Sequence, residues 1–235
     1  MTFLYRDTLT SGEGPVEVGF TDRRLDLGDQ ALPAVREAAL AEVAAATGCT
    51  PYTMRQVHGA DVLLVEEGSD ETDQPADALV TARPRIALLS RAADCVPVLL
   101  ADRRVLVGAV HAGRHGVRDG VVTAAVDRMR TLGATEVTAW IGPHICGQCY
   151  EVPASMRAEV AGAVSATEAT TSWGTPALDL GAGVRSQLEA AGCVVIEMGA
   201  CTREDPRLHS HRRDAGAAGR GAGVIWRPGP DEGRP

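Results

Sequence analysis

The centre of the chain reads ADALVT (residues 76–81), RIALLS (85–90), CVPVLLAD (95–102) and VLVGAVHAG (105–113). Each run has the length of a strand, and short steps containing proline or polar residues separate one run from the next. Runs that are apolar at almost every position are typical of strands buried on both faces of a sheet. These four runs therefore predict the middle of a β-sheet that is covered on both sides.

Segments with helical and strand-like patterns lie on both sides of this centre. Apolar residues at helical spacing predict helices over 32–47, 117–132 and 177–192, and a further helix is predicted to begin near Pro153. Strand-like patterns occur at residues 16–22, 54–58, 61–67, 135–142 and 193–199. The order of these elements predicts one compact α/β domain with a large mixed sheet or two packed sheets. An acidic, exposed loop is expected at 68–75.

The composition is that of a globular enzyme-sized domain. Hydrophobic residues make up 45% and charged residues 23% of the 235 positions, which argues against disorder. The formal net charge of −8 disfavours binding to nucleic acid. Residues 1–10 lack the apolar stretch of a secretory signal, and no apolar run has the ~18 residues needed to cross a bilayer. We therefore expect a cytoplasmic protein without membrane contact and with reduced cysteines.

Three segments place a metal-binding side chain close to glycine at a strand end, namely His58, Cys95 and His111. Imidazole and thiolate together suit zinc, and three protein ligands leave one position open for water or substrate. Spacing alone is weak support, because the three residues are far apart in the sequence. The alternative is two hydrogen-bonded histidines and a buried free cysteine, and spacing alone favours this alternative.

Two other clusters carry potential chemistry. The segment RLHSHRRDAGAAGR contains Arg207, Arg212, Arg213 and Arg220, and guanidinium groups beside glycine amides are suited to holding phosphate. The alternative for any single arginine here is a solvated basic loop. The pair Cys146–Cys149 has CxxC spacing, which suits a structural zinc site or redox chemistry, but no second CxxC completes a site. We therefore interpret this pair as structural or incidental.

Taken in order, five segments resemble the motifs of one family. They are QVHGADV (56–62), ADCVPVLLAD (93–102), VGAVHAG (107–113), WIGPHICGQCYEVP (140–153) and SHRRD (210–214). The chain resembles the laccase-domain purine nucleoside phosphorylases, a family also described as multicopper polyphenol oxidase-like. The resemblance covers roughly residues 16 to 227.

The resemblance implies both a fold and a reaction. The expected fold is a four-layer α/β/β/α sandwich of two packed mixed sheets over residues 1–227, with residues 228–235 as a disordered tail. The expected metal ligands and catalytic residues are His58, Cys95 and His111 around one zinc ion, copper being the less favoured metal. The expected activity is phosphorolysis of adenosine, inosine and methylthioadenosine, together with some adenosine deamination. Nucleoside and phosphate are then the partners, and Arg213, Arg212 and Arg220 are the predicted phosphate ligands, with Arg213 favoured.

The sequence departs from the family pattern at three places. The family usually reads VHAGWRG, whereas this chain reads VHAGRHG, so Arg114 and His115 replace tryptophan and arginine. A segment near the N-terminus is shortened to DRRLDLGD (22–29), and the first helix has Ala38 and Ala39 where the family usually carries an Asn-Arg pair. The last two features are expected to line the substrate pocket, and none of the three departures changes the metal triad.

Three other functions compete with the phosphorylase. A copper phenol oxidase is disfavoured, because multicopper sites use about ten His and Cys ligands and this chain has only six histidines. A cysteine-centred amidase that edits cell-wall precursors would use Cys95 as the nucleophile with a neighbouring histidine as the base. A non-catalytic nucleoside-binding protein is the third alternative, and the altered pocket is its main support.

Overall fold

The computed structural model describes residues 2–11, 14–66 and 72–229. Its strands in chain order are β1 (Phe3–Ser11), β2 (Gly14–Thr21), β3 (Thr50–Tyr52), β4 (Val62–Leu64), β5 (Ala78–Thr81), β6 (Ile86–Ala92), β7 (Val96–Asp102), β8 (Val107–Ala112), β9 (Val137–Ile141), β10 (Glu168–Thr170), β11 (Pro176–Leu178), β12 (Val194–Glu197) and β13 (Gly221–Trp226). Its helices are α1 (Pro33–Thr47), α2 (Arg114–Asp119), α3 (Val121–Thr131), α4 (Ala154–Ala163), α5 (Leu180–Ala190) and α6 (His211–Asp214).

Most of the strands in the described ranges form two mixed sheets. Sheet one has five strands in the order β1-β2-β13-β6-β3, and sheet two has six in the order β12-β9-β7-β8-β5-β4. In sheet two, β7 lies between β9 and β8 and is antiparallel to both, whereas the outer pairs β12–β9 and β4–β5 are parallel. The strands β10 and β11 form a separate antiparallel pair.

The two sheets pack face to face, and helices cover their outer faces. Side chains such as Phe20, Leu99 and Trp140 form the core between the sheets. A second core joins sheet two to α2, α3, α4 and α5, and a smaller one joins sheet one to α1. The result is the four-layer α/β/β/α sandwich expected from the sequence. Burial on both faces explains why the central strands are apolar at nearly every position.

The alternation of side chains along β8 decides where its histidine lies. Val107 and Ala109 belong to the core between the sheets, whereas Val110 and Ala112 belong to the core beneath the helices. Because successive side chains of a strand point to opposite faces, His111 lies on the side of the inter-sheet core. It is the penultimate residue of β8, so it lies where that core reaches the end of the sheet.

The prediction of a strand over 54–58 is wrong. Apart from an isolated bridge at Arg55, this segment is irregular. The backbone N–H groups of Val57, His58 and Gly59 donate to the carboxylate of Asp77 instead of to a neighbouring strand. A side chain thus replaces the sheet hydrogen bonds that the apolar pattern suggested.

Other boundaries also differ from the prediction. The helix expected over 117–132 begins at Arg114 and is broken at Gly120, whose φ of 83° interrupts the helical backbone. In the segment 177–192, the helix begins only after Asp179, whose side chain accepts the Ala182 N–H as an N-cap. Five strands, β1, β3, β10, β11 and β13, were not predicted, and β13 lies within the Gly- and Pro-rich end of the chain.

Some predictions fall partly outside the described residues. Of the acidic loop predicted at 68–75, residues 72–75 are described and are mostly exposed. Of the tail predicted at 228–235, only residues 228 and 229 are described. Among the helices that the structure describes, none combines the length and apolar character required to cross a membrane.

Candidate metal centre and substrate cavity

Sheet two and the loop before β4 bring His58, Cys95 and His111 together. In the antiparallel pair of β7 and β8, Pro97 lies opposite His111, so Cys95, just before β7, lies beside the end of β8. His58 comes from the irregular segment between β3 and β4 and has a left-handed backbone with φ of 62°. The fold therefore joins three segments that are widely separated in the sequence.

The three side chains form a compact group of metal-binding atoms. One nitrogen of each histidine and the sulfur of Cys95 all lie within 4.8 Å of one another. Nε2 of His58 is 3.9 Å from Sγ of Cys95, and the two imidazole rings are nearly perpendicular with centroids 4.8 Å apart. His111 is buried, Cys95 is half-buried and His58 is exposed, so the group opens towards solvent on one side.

Asp77 fixes two members of this group. Its carboxylate is fully buried and accepts a hydrogen bond of 2.7 Å from Nδ1 of His111. It also accepts the backbone N–H groups of Val57, His58 and Gly59. Burial alone would raise the pKa of Asp77, but the hydrogen bonds from His111 and Gly59 hold that pKa below its ordinary value. Because the ionised carboxylate accepts the hydrogen bond from Nδ1 of His111, the other ring nitrogen, Nε2, is the atom available to a metal.

The donor set and the space around it fit a zinc ion. Two imidazoles and one thiolate are common zinc ligands, and three protein ligands leave a fourth tetrahedral position for substrate or water. At Gly113, a Cβ atom would lie 2.6 Å from Cδ2 of His58 and 3.4 Å from Sγ of Cys95. Glycine at this position therefore allows the backbone to approach the ligands.

Electrostatic coupling between Cys95 and His111 changes both protonation equilibria. Burial would raise the pKa of Cys95, but the charge and hydrogen bond of His111, with a smaller contribution from His58, lower it to about 6. Burial would lower the pKa of His111, but the Cys95 thiolate and Asp77 raise it to about 9. Between these values the metal-free protein holds a thiolate beside an imidazolium, so the sulfur is already deprotonated for a metal or an electrophile.

Alkylation of the metal-free protein tests this ion pair. Because only the thiolate reacts, the rate at Cys95 should be half-maximal near pH 6 and should fall as the pH drops below that value. His111→Asn should move the midpoint upward, since it removes the positive charge. The rates are measured by mass spectrometry of the iodoacetamide-treated peptides. Cys193, whose pKa is raised by burial, is the internal control, and an equal midpoint for both cysteines would contradict the assignment.

A cavity of about 800 Å³ lies in front of the triad. His58, Cys95 and His111 line it together with residues of the segments 26–31 and 211–220. Its other charged or aromatic lining residues are Arg91, Asp94, Arg114, His115 and Tyr150. The cavity therefore combines the candidate ligands with several cationic groups, as a site for an anionic co-substrate requires.

The three predicted phosphate ligands lie in different environments. Arg212 lines the cavity with its guanidinium over the ring of Tyr150, at 5.1 Å from the centroid. Arg220 also lines the cavity and donates to the carbonyl groups of Ala218 and Gly219.

Arg213 does not face the cavity. Its guanidinium donates to the carbonyl groups of Thr202, Arg203, Asp205 and Leu208 and to the carboxylate of Asp214. These bonds use the donor groups of the side chain for holding the loop 202–208. The geometry therefore does not support the prediction that Arg213 is the favoured phosphate ligand.

Asp94 connects the Cys95 segment to the loop that carries Arg212. Its Oδ1 accepts the Thr202 hydroxyl at 2.6 Å, and its Oδ2 accepts the backbone N–H of Arg212 at 2.6 Å. Asp94 has a positive φ of 90°, a conformation that non-glycine residues rarely adopt. These two bonds hold the strained turn before Cys95 and place Arg212 beside the cavity.

Comparison with known proteins identifies the family. A family model described as multi-copper polyphenol oxidoreductase laccase matches residues 21–228. The chain belongs to this laccase family. The metal triad and the SHRRD segment all lie within the matched range.

Proteins with similar sequences carry a different functional name. A Streptomyces griseus protein named purine nucleoside phosphorylase is 51% identical over 179 residues, covering 74% of this chain and 72% of that protein. A Mycobacterium tuberculosis protein of the same name is 45% identical over 202 residues, covering 84% and 80%.

Solved structures share the fold at lower identity. A Neisseria meningitidis protein has a TM-score of 0.83 and 26% identity, covering 97% of this chain and all of that one. The hypothetical protein YfiH of Bacillus licheniformis has a TM-score of 0.80 and 28% identity, covering 90% and 92%. The two-sheet sandwich is therefore shared with these proteins.

Sequence reasoning missed several residues that build the site in this member of the laccase family. Asp77 and Asp94 position the ligand segments, and Tyr150 and Arg91 line the cavity. The sequence did contain an indication of Asp77 and Asp94. Each is a single carboxylate beside a buried apolar strand, and a carboxylate in that position needs hydrogen-bond partners. Arg114 and His115, which replace the tryptophan and arginine of the family pattern, also line the cavity.

Proposed function

We propose that this chain is a purine nucleoside phosphorylase that uses one zinc ion held by His58, Cys95 and His111. The observation that carries the proposal is the position of this triad at a cavity of about 800 Å³ that also presents cationic side chains. Cavities of roughly 300–1,000 Å³ accept small-molecule ligands. The relatives named purine nucleoside phosphorylase support the choice of reaction.

The proposed substrates are adenosine, inosine and methylthioadenosine, each with inorganic phosphate. A phosphate oxygen forms a bond to C1′ of the ribose while the glycosidic C–N bond breaks, and the purine leaves with the electron pair of that bond. The reaction needs phosphate and nucleoside to be held in line, and it needs the charge that develops on the base to be stabilised. The cavity is large enough to hold both substrates beside the triad.

Phosphate binding is assigned to Arg212, Arg114 and Arg220. Among the described residues, the guanidinium groups of Arg212 and Arg114 make no hydrogen bond or ion pair, so they are available to an anion. Arg220 also lines the cavity and contributes a third positive charge. Arg213 acts as a positioning residue, because it joins α6, which carries Arg212, to the loop 202–208.

The nucleoside is placed between the triad and Tyr150. Burial raises the pKa of Tyr150, so the phenol stays neutral and can donate a hydrogen bond to the base or the ribose. When bound, zinc supplies a positive charge that polarises an oxygen or nitrogen of the substrate. Asp77 keeps His111 in the tautomer that presents Nε2 to the cavity.

Deamination of adenosine is proposed as a second activity of the same site. Water replaces the 6-amino group and ammonia leaves, so this reaction needs no phosphate. The same triad and the same base-binding side of the cavity would serve it.

Product analysis with and without phosphate tests the proposal. The purified protein is incubated with adenosine, and the products are separated by chromatography. Adenine together with ribose 1-phosphate, formed only when phosphate is present, is the expected result. Inosine formed regardless of phosphate would make deamination the main activity. Metal-loaded protein that binds adenosine without turnover would favour the non-catalytic nucleoside-binding protein.

The phosphate assignment predicts the phenotype of Arg212→Met. This change keeps an unbranched, flexible side chain but removes the guanidinium and its charge. The KM for phosphate should therefore rise roughly 10- to 150-fold, which corresponds to the loss of one hydrogen bond to a charged group. Metal content should be unchanged, because Arg212 is not a ligand. Steady-state kinetics at varied phosphate measure the effect. Arg103→Met, at an exposed arginine paired with Glu136, is the control, and an unchanged KM in Arg212→Met would refute the assignment.

A specific observation also favours a cysteine hydrolase as a second candidate. The pKa of Cys95 is about 6, and two imidazoles lie beside its sulfur, which is the arrangement of an activated nucleophile. Such an enzyme would act on amides, including those of cell-wall precursors. In the proposed phosphorylase the sulfur of Cys95 is a metal ligand. In the hydrolase a metal on the same sulfur would prevent it from acting as the nucleophile. If protein freed of metal by a chelator cleaves amides, and added zinc inhibits this cleavage, the result would favour the hydrolase.

A further inference from the structure

A second group of metal-binding side chains lies outside the site described above. The sulfurs of Cys146, Cys149 and Cys201 and one carboxylate oxygen of Glu204 all lie within 4.8 Å of one another. We propose that these four residues bind a structural zinc ion that joins two loops of the cavity. This proposal does not depend on the phosphorylase activity.

The sheet order explains why the two loops meet. The strands β9 and β12 are parallel neighbours, so their carboxyl ends lie at the same edge of sheet two. The segment 142–153 leaves β9 at this edge, and the segment 198–210 leaves β12 there. An isolated bridge pairs His144 with Cys201, and the Thr202 N–H donates to the His144 carbonyl at 3.0 Å. The backbone therefore brings the two segments into register.

The spacing within each segment supports a metal site. One segment reads CGQC and the other CTRE, so each supplies two ligands separated by two residues. The N–H groups of Cys149 and Tyr150 both donate to the Cys146 carbonyl at 3.0 Å, which closes the first segment into a tight turn. The Cys146 N–H donates across the gap to Sγ of Cys201 at 3.4 Å.

The size of the cluster matches tetrahedral zinc. With zinc–sulfur bonds of about 2.3 Å, the ligand atoms of a tetrahedron lie about 3.8 Å apart. Sγ of Cys149 and Oε1 of Glu204 are 3.4 Å apart, and no pair in the cluster exceeds 4.8 Å. Four protein ligands leave no open position, which is the pattern of a structural rather than a catalytic zinc. A disulfide between Cys146 and Cys149 would account for only two of the four side chains.

The proposed ion would support the substrate cavity. Ile145 and Tyr150 line the cavity and lie directly beside Cys146 and Cys149 in the chain. On the other loop, Thr202 follows Cys201 and donates its hydroxyl to Asp94, the residue that also accepts the Arg212 N–H. A zinc ion between the loops would therefore fix the aromatic and the cationic sides of the cavity relative to each other.

Metal counting in matched variants tests the proposal. Zinc is measured in protein purified under reducing conditions, and the metal-free protein is reloaded with cobalt(II), whose sulfur-to-metal absorption grows with the number of thiolates. Wild type should hold two equivalents. The double variant His58→Ala/Cys95→Ala should keep one equivalent, with the absorption of a three-thiolate site. The double variant Cys146→Ser/Cys149→Ser should lose one equivalent and most of the absorption.

Two further variants separate metal binding from folding. Glu204 is exposed, so Glu204→Gln should fold normally and should weaken zinc binding at this site by more than about tenfold, since even outer-sphere changes have effects of that size. Cys193→Ser, at a cysteine outside both clusters, should keep two equivalents.

Either of two results would overturn the proposal. One is a His58→Ala/Cys95→Ala protein without metal, whatever the activity of the wild type. The other is a Cys146–Cys149 disulfide found by non-reducing mass spectrometry in zinc-replete protein. Loss of phosphorylase activity alone would refute the proposed function and leave the second metal equivalent in place, so the two failures are distinguishable.

Discussion

Cys95→Ala is expected to remove one bound metal equivalent and to lower kcat/KM for adenosine phosphorolysis by on the order of 10²–10³-fold, the usual effect of removing a preorganised electrostatic group. The variant deletes the sulfur that lies 3.9 Å from Nε2 of His58 and leaves two imidazoles, which hold zinc poorly. Metal analysis and steady-state kinetics on the same preparation measure both effects. The fold should be retained, because Cys95 is only half-buried.

The comparison with Cys193→Ala makes this prediction specific. Cys193 lies outside the triad, so its loss should change neither metal content nor kcat/KM. Cys95→Ala protein that keeps its full metal content would show that Cys95 is not a ligand. A full metal content together with abolished activity would favour the cysteine nucleophile instead.

Asp77→Asn is expected to weaken zinc binding 10- to 100-fold and to lower the free energy of unfolding of the metal-free protein by about 1–3 kcal/mol. The buried carboxylate accepts four hydrogen bonds, one from His111 and three from the backbone of residues 57–59. An amide would turn an N–H₂ group towards some of these donors, leaving them without an acceptor. Two ligands of the triad would then lose their support.

Zinc competition with a chelator and urea unfolding of the metal-free protein measure these two effects. Asp127→Asn is the matched control, because Asp127 is exposed on α3 and makes only a long ion pair with Arg130. Zinc affinity equal to wild type in Asp77→Asn would mean that the hydrogen bond to His111 does not orient the ligand. Destabilisation without loss of affinity would assign Asp77 a purely structural role.

The buried parts of the fold could be predicted from the sequence, and the edges could not. The strands β5 to β9 are apolar at nearly every position because both faces of each of the two sheets are covered, and this pattern can be read from the sequence. The strand β1 lies at the edge of sheet one and alternates between polar and apolar residues within a segment that has no flanking signal. The strand β13 contains two glycines and follows a glycine-rich loop, so the low β-propensity of glycine argued against a strand at this position.

The site was predictable to the extent that a family motif marks it. His58, Cys95 and His111 are separated by 37 and 16 positions, and only the register of β7 and β8 with the Asp77 bonds brings them together. Spacing also gave no way to distinguish Arg212 from Arg213. Neighbouring residues of the short helix α6 point in different directions, so one reaches the cavity and the other reaches the carbonyl groups of its own loop. Likewise, spacing did not distinguish Cys201 from the other single cysteines as a neighbour of the CxxC pair and gave no sign of Glu204, because both lie about 55 residues away on another loop.

The position of β13 has a consequence for biosynthesis. Its Gly223 pairs with Phe20 on one side and with Ser90 on the other, so a strand near the end of the chain fills the gap between two strands made much earlier. While the ribosome is still adding the residues in between, β2 and β6 each lack this neighbour, and exposed strand edges are prone to associate with other chains. Pairing across some 200 residues is also slow, because a long loop must close before any contact forms. Sheet one, and with it the segment 211–220 of the cavity, can therefore be completed only after β13 has been synthesised.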